Sequence, residues 1–217
     1  MLSPEVRKSI KNLRYLLNQG YPRSSAVEFV SNHYRLELDQ RHLLARCVFS
    51  KEEATDHQDR GIDVGEVRNR RLGVDGYNVL ISVESILGGE QVVKCDDGFI
   101  RDLQAIFGKY KMSDVTEKAI DEILNVVDEA NPKEVAFFYD KQVSRSGELA
   151  GMTRGKLEGR ALNGDAKTTV GTDADVRDFE VVASSDRAII KKSDRVWDVS
   201  AEILKHKEAN LLDLTKI

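Results

Sequence analysis

Residues 71–80 read RLGVDGYNVL. An apolar run reaches a carboxylate, Asp75, and turns at once through Gly76 into Tyr77, Asn78 and a second apolar stretch. Asp is disfavoured inside strands, and Gly there gives a tight turn rather than packing. The pattern predicts a short strand over 71–75 and a helix following Tyr77. Two readings of Asp75 stay open: an ordinary cap for the next helix, or an acid presented at a strand mouth for chemistry.

From Arg71 onward, short apolar runs alternate with longer stretches of helical period, the mark of an α/β domain with a largely parallel sheet flanked by helices. EVAFFYD (134–140) and EVVASSD (180–186) are the strongest further strands, and AKTTV (166–170) is β-branched but weakly apolar. The best helix lies in SDVTEKAIDEILNVVDEANP, with Ser113 at its N-cap and Pro132 at its end. Another helix is expected over 145–162. Three of the strands end in acid: Asp75, Asp140 and Asp186. In an open parallel sheet the carboxyl ends of strands share one edge, where ligands bind. Carboxylates brought together there repel and raise one another's pKa. A hard cation removes the conflict, and oxygen-only ligation favours Mg²⁺ or Mn²⁺. GTDADVRD adds Asp173, Asp175 and Asp178 just before the last strand; it lacks the glycine of a calcium loop and reads as further acid for the same edge.

The first sixty residues are helical in pattern. Val6, Ile10, Leu13, Leu16 and Leu17 recur at helical spacing before Gly20, Ser24 and Ser25 offer caps for a second helix, and a third follows Asp39. The polar stretch 51–71 is read as a linker, with a domain boundary near residue 65: a helical N-terminal region over 1–62 and an α/β domain over 66–217. Residues 1–70 carry a balance of +2 and the remainder −6, within a net charge of −4. An acidic main domain repels nucleic acid unless its acids hold cations.

Bulk composition narrows the class. A chain of 217 residues with 41% hydrophobic and 32% charged residues can bury a proper core. No apolar run is long enough for a membrane span, MLSPEVRKSI lacks the apolar core of a signal peptide, and a cytoplasmic location is expected. Cys47 and Cys95 are too far apart in sequence to suggest a disulfide framework, and the four histidines show no zinc-ligand spacing. Phosphate-loop, dinucleotide and serine-hydrolase elbow motifs are absent from the sequence.

Asp75-Gly76-Tyr77-Asn78, AFFYD and VVASSDRAII together resemble the motifs of NYN-type, PIN-like nucleases, including the YacP-like RNases, over roughly residues 70–200. The whole chain also resembles an uncharacterised two-part archaeal family with a helical N-terminal region. The nuclease resemblance implies a PIN-like fold and a metal-dependent ribonuclease. Asp75 would bind metal, Asn78 would orient the metal or a phosphate, and Asp140 and Asp186 would complete the acidic cluster. Asp173 or Asp175 would stand for the acid that usually opens a helix before the last strand, though here that helix must be short or missing. The acid often given by an internal helix has Asp97 and Asp102 as candidates.

The implied partner is RNA, held by Ser144, Arg145, Ser146 and Arg187, with Arg154, Lys156, Arg160, Lys191 and Lys192 as further cations in segments leaving the strand ends. A homodimer is left open as the assembly. The rival readings are a non-catalytic RNA- or protein-binding module that keeps the fold, and a phosphatase-like hydrolase.

Overall fold

The computed structural model describes residues 2–104 and 110–217. Four helices come first: α1 (Pro4–Asn18), α2 (Arg23–His33), α3 (Leu38–Cys47) and α4 (Lys51–Arg60). Ser3 caps α1 through the Val6 amide, with Pro4 in the first turn, where a missing N–H costs nothing. The start of α2 differs from expectation. Pro22 precedes it and no side chain caps it, so Ser24 and Ser25 lie inside the helix. Glu37 and Gln40 make a reciprocal capping box for α3, which therefore begins before Asp39. The polar stretch expected as a linker contains α4, capped by Ser50 through the Glu53 amide. Its burial rests on two residues only, Ala54 and His57.

The α/β part follows as β1 (Arg71–Asp75), α5 (Gly76–Leu87), β2 (Val92–Lys94), β3 (Ile100–Asp102), α6 (Asp114–Ala130) and β4 (Glu134–Asp140). Then come α7 (Ser146–Gly159), β5 (Gly164–Thr169), α8 (Thr172–Val176), β6 (Val181–Ala183), α9 (Arg187–Ile190), β7 (Val196–Trp197), α10 (Val199–Leu204) and β8 (Leu211–Asp213). Five strands form one sheet in the order β5-β4-β1-β6-β7, and every pairing in it is parallel. The acid-ended strands β4, β1 and β6 are thus its three central neighbours. β6 is shorter than expected: Ser184, Ser185 and Asp186 leave the sheet to form the turn into α9.

One face of the sheet, with Leu72, Val74, Phe137 and Tyr139, packs under α5, α6, α7 and α10. The other, with Ala136, Phe138 and Val182, is covered by the short α8 and α9 segments. A second sheet, β3-β2-β8, lies against the N-terminal helices, and Val93, Cys95 and Leu214 join their core. Each fully buried Leu or Phe there contributes about 1.5–3 kcal/mol. Cys47 and Cys95 meet in this core as free thiols, and burial, then the neighbouring sulfur, pushes the Cys95 thiol well up. Among the described residues no helix is long and apolar enough to cross a membrane.

Asp97 and Asp102, expected as candidates for the acidic edge, serve this junction instead. Asp97 is buried between His57 Nδ1 at 2.8 Å and the Arg101 guanidinium, whose two Nη atoms each lie 2.7 Å from its carboxylate. Burial alone would raise the Asp97 carboxyl, yet Arg101 and His57 hold it below its ordinary value. Asp102 accepts from Ser82 at 3.1 Å and from Arg46 at 3.2 Å. A buried carboxylate matched by a buried guanidinium cannot be given up for metal binding without stranding a charge.

Gly76 has a packing reason. A Cβ there would stand 2.6 Å from the Tyr139 ring and 2.8 Å from the Phe138 carbonyl oxygen, because β4 runs directly beside the turn. Gly76→Ala is expected to cost about 1–3 kcal/mol through this overlap. Urea melts of the variant and the wild type measure it; an unchanged midpoint would mean that β4 yields freely.

Candidate functional site

The site grows from the register of the central strands. Asp75 stands opposite Phe138, so Asp140 lies two residues further along β4 with its side chain on the same face of the sheet as Asp75. That is the face covered by α8 and α9, whose preceding and opening residues carry the remaining acids. Asp75 occupies the N-cap position of α5, and its side chain makes no well-formed capping hydrogen bond, although the Asn78 amide in the first turn still acts on it. The ordinary reading of an acid after a strand is therefore weak at Asp75. It holds at Asp186, whose Oδ1 accepts from Ala188 N at 2.7 Å and Ile189 N at 3.2 Å. Asp140 closes a turn by accepting from Gln142 N at 2.8 Å.

Two serines that the sequence reading passed over fix the geometry. Ser184 Oγ lies 3.0 Å from Asp75 Oδ2 and 3.3 Å from Asn78 Oδ1, and accepts from Asp186 N at 3.0 Å. Asn78 Oδ1 also accepts from Ser185 N at 2.7 Å and Ser185 Oγ at 3.1 Å. Asn78 thus ties the first turn of α5 to the loop after β6. Its carbonyl oxygen is committed to that task, which leaves the amide nitrogen as its donor toward any ligand.

Electrostatics bring the acids together. Burial pushes the Asp75 carboxyl up to about 7. The Ser184 bond and the Asn78 backbone amide lower it, while the charges of Asp186 and Asp173 raise it further. Asp173 is thus near enough for its charge to act on Asp75. Asp175 is engaged elsewhere: its Oδ2 takes the Thr169 hydroxyl at the end of β5. The segment expected to hold a short or missing helix is the five-residue α8, and its first turn delivers Asp173 to the site. Asp75, Asp186 and Asp173 offer only oxygen donors, the kind of set that suits a hard divalent cation. Among the described residues no group of three or more His, Cys, Asp or Glu side chains is drawn together tightly enough to enclose a metal as it stands. The acids therefore match such a cation in donor type and mutual repulsion but would have to close around it.

The residues expected to bind substrate fall into two groups. Ser144 Oγ donates to the Tyr110 carbonyl, Arg145 pairs with Glu148 at 3.1 Å on the surface, and Ser146 is buried at the start of α7. Lys156 and Arg160 are held by Asp121, with Glu117 also on Lys156, and brace α7 against α6. Arg154 pairs with Asp165. Tyr77 is buried, with its ring edge-on to Tyr110 and Tyr139, and its hydroxyl donates to the Ser144 carbonyl. Arg187 stands apart from this group. It follows Asp186 directly and shares a cavity with Asn78 and Asp186.

Fold and site together define an α/β protein with a parallel five-stranded sheet, whose carboxyl edge gathers acids, and a helical N-terminal region joined to it. Residues 64–202 match the family described as Domain of unknown function (DUF5616), and the chain belongs to that family. Residues 5–60 match a second, described as Protein of unknown function (DUF434). The chain is also 34% identical to an uncharacterized protein of Methanocaldococcus jannaschii over 203 residues, which span 93% of this chain and 97% of that protein. No solved structure matches.

The raised Asp75 carboxyl fixes a sign for stability against pH. A carboxyl group whose folded pKa exceeds its unfolded value favours folding most below about pH 4, and that contribution is lost as pH rises through about 7. In EDTA, Asp75→Asn is expected to exceed the wild type in stability at pH 8, with the gap closing toward pH 4. A gap of about 1–2 kcal/mol is expected, below the full shift because Asp75 is only partly covered at the edge. Thermal melts at the two pH values decide it; a variant less stable at pH 8 would make Asp75 a structural acid.

Proposed function

We propose that the chain is a PIN-like, metal-dependent ribonuclease whose site is the acidic edge of the central sheet. The observation that carries this reading is the buried Asp75 carboxyl at the strand mouth, pushed up to about 7 by burial and further by the charges of Asp186 and Asp173, without a well-formed capping bond. A buried carboxyl with a raised pKa beside other acids is the kind of group that functional sites gather. The DGYN, AFFYD and VVASSD motifs, which resemble those of NYN-type nucleases, lie at the end of β1 and the start of α5, in β4, and in β6 with the turn after it, so all three involve the central strands.

Asp75, Asp186 and Asp173 would hold Mg²⁺ or Mn²⁺, with Asp140 reaching in from the neighbouring strand. When bound, the cation supplies Lewis acidity toward a phosphate and lowers the pKa of water beside it. The protein's own groups do the positioning. Ser184 fixes the Asp75 carboxylate by donating to Oδ2, and Asn78 holds the loop that carries Asp186. Near neutral pH the Asp75 carboxyl sheds its proton readily and becomes a full anion when a cation approaches.

A non-catalytic RNA-binding module is the second reading, favoured by the capping duty of Asp186. Both capping bonds use Oδ1, so Oδ2 remains for a ligand, and this weighs toward catalysis.

Incubation of a labelled single-stranded RNA with the protein and Mn²⁺ tests the reading. Cleavage is expected for the wild type, with a loss of at least about 100-fold in Asp75→Asn and a smaller loss in Asp175→Asn. Equal cleavage by wild type and Asp75→Asn, or none by the wild type, would overturn it.

A further inference from the structure

We propose that the cavity beside the acidic edge, walled by Arg23, Arg46, Arg101 and Arg187, is a subsite for a backbone phosphate of RNA, to which the N-terminal helices contribute two of the cations. The inference rests on the ribonuclease reading for its ligand.

The cavity holds about 220 Å³ and opens next to Asn78 and Asp186. Arg23 begins α2 and Arg46 lies in the last turn of α3, while Arg101 comes from β3 and Arg187 from α9. Four arginines from four separate elements thus line one cavity, in whose wall Asp186 is the lining carboxylate. Planar guanidinium forks match phosphate oxygens better than ammonium groups do.

The four arginines face Asp97, Asp102, Glu53 and the wall carboxylate Asp186, so the cavity turns cationic only when Asp186 is neutralised. Arg101 is matched by Asp97 and Arg46 by Asp102. Arg23 and Arg187 share one carboxylate, Glu53, which lies 3.6 Å from Arg23 Nη1. That Nη1 is buried and has no hydrogen-bond partner. Arg23 is held in place by Nη2 donating to the Ala45 carbonyl and by its guanidinium lying 4.6 Å from the centre of the Phe49 ring. Burial lowers the Arg23 pKa, Glu53 opposes this, and the charges of Arg187 and Arg101 lower it further. The arginines are therefore close enough to repel, and a phosphate would relieve them. A cation at the edge would offset Asp186, leaving the cavity cationic beside it.

The placement gives the N-terminal helices a task. They cover the junction with the small sheet and also send Arg23 and Arg46 to the rim of the acidic edge. A polynucleotide could then be gripped at one phosphate and processed at a neighbouring one. Arg187 in this cavity is also the one cation of the expected substrate set that directly follows a site acid in sequence.

Anisotropy of a labelled twelve-nucleotide single-stranded RNA with the full chain in EDTA tests the subsite without catalysis. Arg23→Gln and Arg187→Gln are each expected to weaken binding about 5- to 10-fold and to reduce the slope of log affinity against log salt by about 1. Lys118→Gln, on α6 across the sheet, serves as the exposed control and is expected to bind as the wild type does. Circular dichroism melts confirm that each variant folds, and Arg187→Gln carries the test if Arg23→Gln does not. No RNA binding by the wild type, or equal binding by both arginine variants and the wild type, overturns the subsite. Arginine-dependent binding without Mn²⁺-dependent cleavage would sink the nuclease reading and leave the subsite standing. Cleavage with binding indifferent to both arginines would do the reverse.

Discussion

Everything at the sheet edge depends on Asn78 Oδ1, which accepts from the amide and the hydroxyl of Ser185. β1 and the neighbouring β6 are held in register by their own ladder as far as Val74 and Ala183. The Asn78 bonds carry that register on into the two turns. They hold the turn into α5 against the turn into α9, and in doing so keep the Asp75 and Asp186 carboxylates close enough to repel. Any parting of the two turns would leave the part-buried Asn78 oxygen and its two Ser185 donors unpaired. The protein thus uses neutral hydrogen bonds to keep like charges together.

That choice has an energetic consequence. The acids oppose folding above neutral pH, and the hydrophobic faces on either side of the sheet must outweigh them. Tyr139, Phe137 and Leu72 on one face and Phe138 and Val182 on the other supply that burial close to the site. Gly76 lets β4 approach to the distance this packing needs. The glycine that raised the question of a turn is therefore there for β4, while the acid beside it makes its well-formed hydrogen bond to Ser184 across the edge. The two halves of the DG pair answer to different physics.

Much of the fold was legible because periodicity carries it. The strands ending at Asp75 and Asp140 and the long helix capped by Ser113 follow from apolar patterning and a side-chain cap, both local properties. Helix α4 was not legible, because KEEATDHQDR buries only Ala54 and His57 and reads as solvated chain. The strands β2, β3 and β8 span three residues each, too few for a period to show. EVVASSD read as one strand, yet only Val181–Ala183 pair, and the serines leave the sheet to bind Asp75 and Asn78. At the site, strand-end acids were visible as a pattern, but the choice of Asp173 over Asp175 needed the direction of α8. Asp97, Asp102 and Arg101 were beyond the sequence altogether: a buried ion pair and an exposed one look the same in one dimension.

The central claim is that the sheet edge takes a divalent cation, and calorimetric titration with Mn²⁺ tests it most directly. Measured at pH 6 and pH 8, with and without a short RNA, the wild type is expected to bind saturably and more tightly at pH 8. The tightening follows from the lower cost of displacing the Asp75 proton. Asp75→Asn is expected to lose both the binding and its pH dependence. No saturable binding by the wild type under any of these conditions, or binding that survives Asp75→Asn unchanged, would contradict the account.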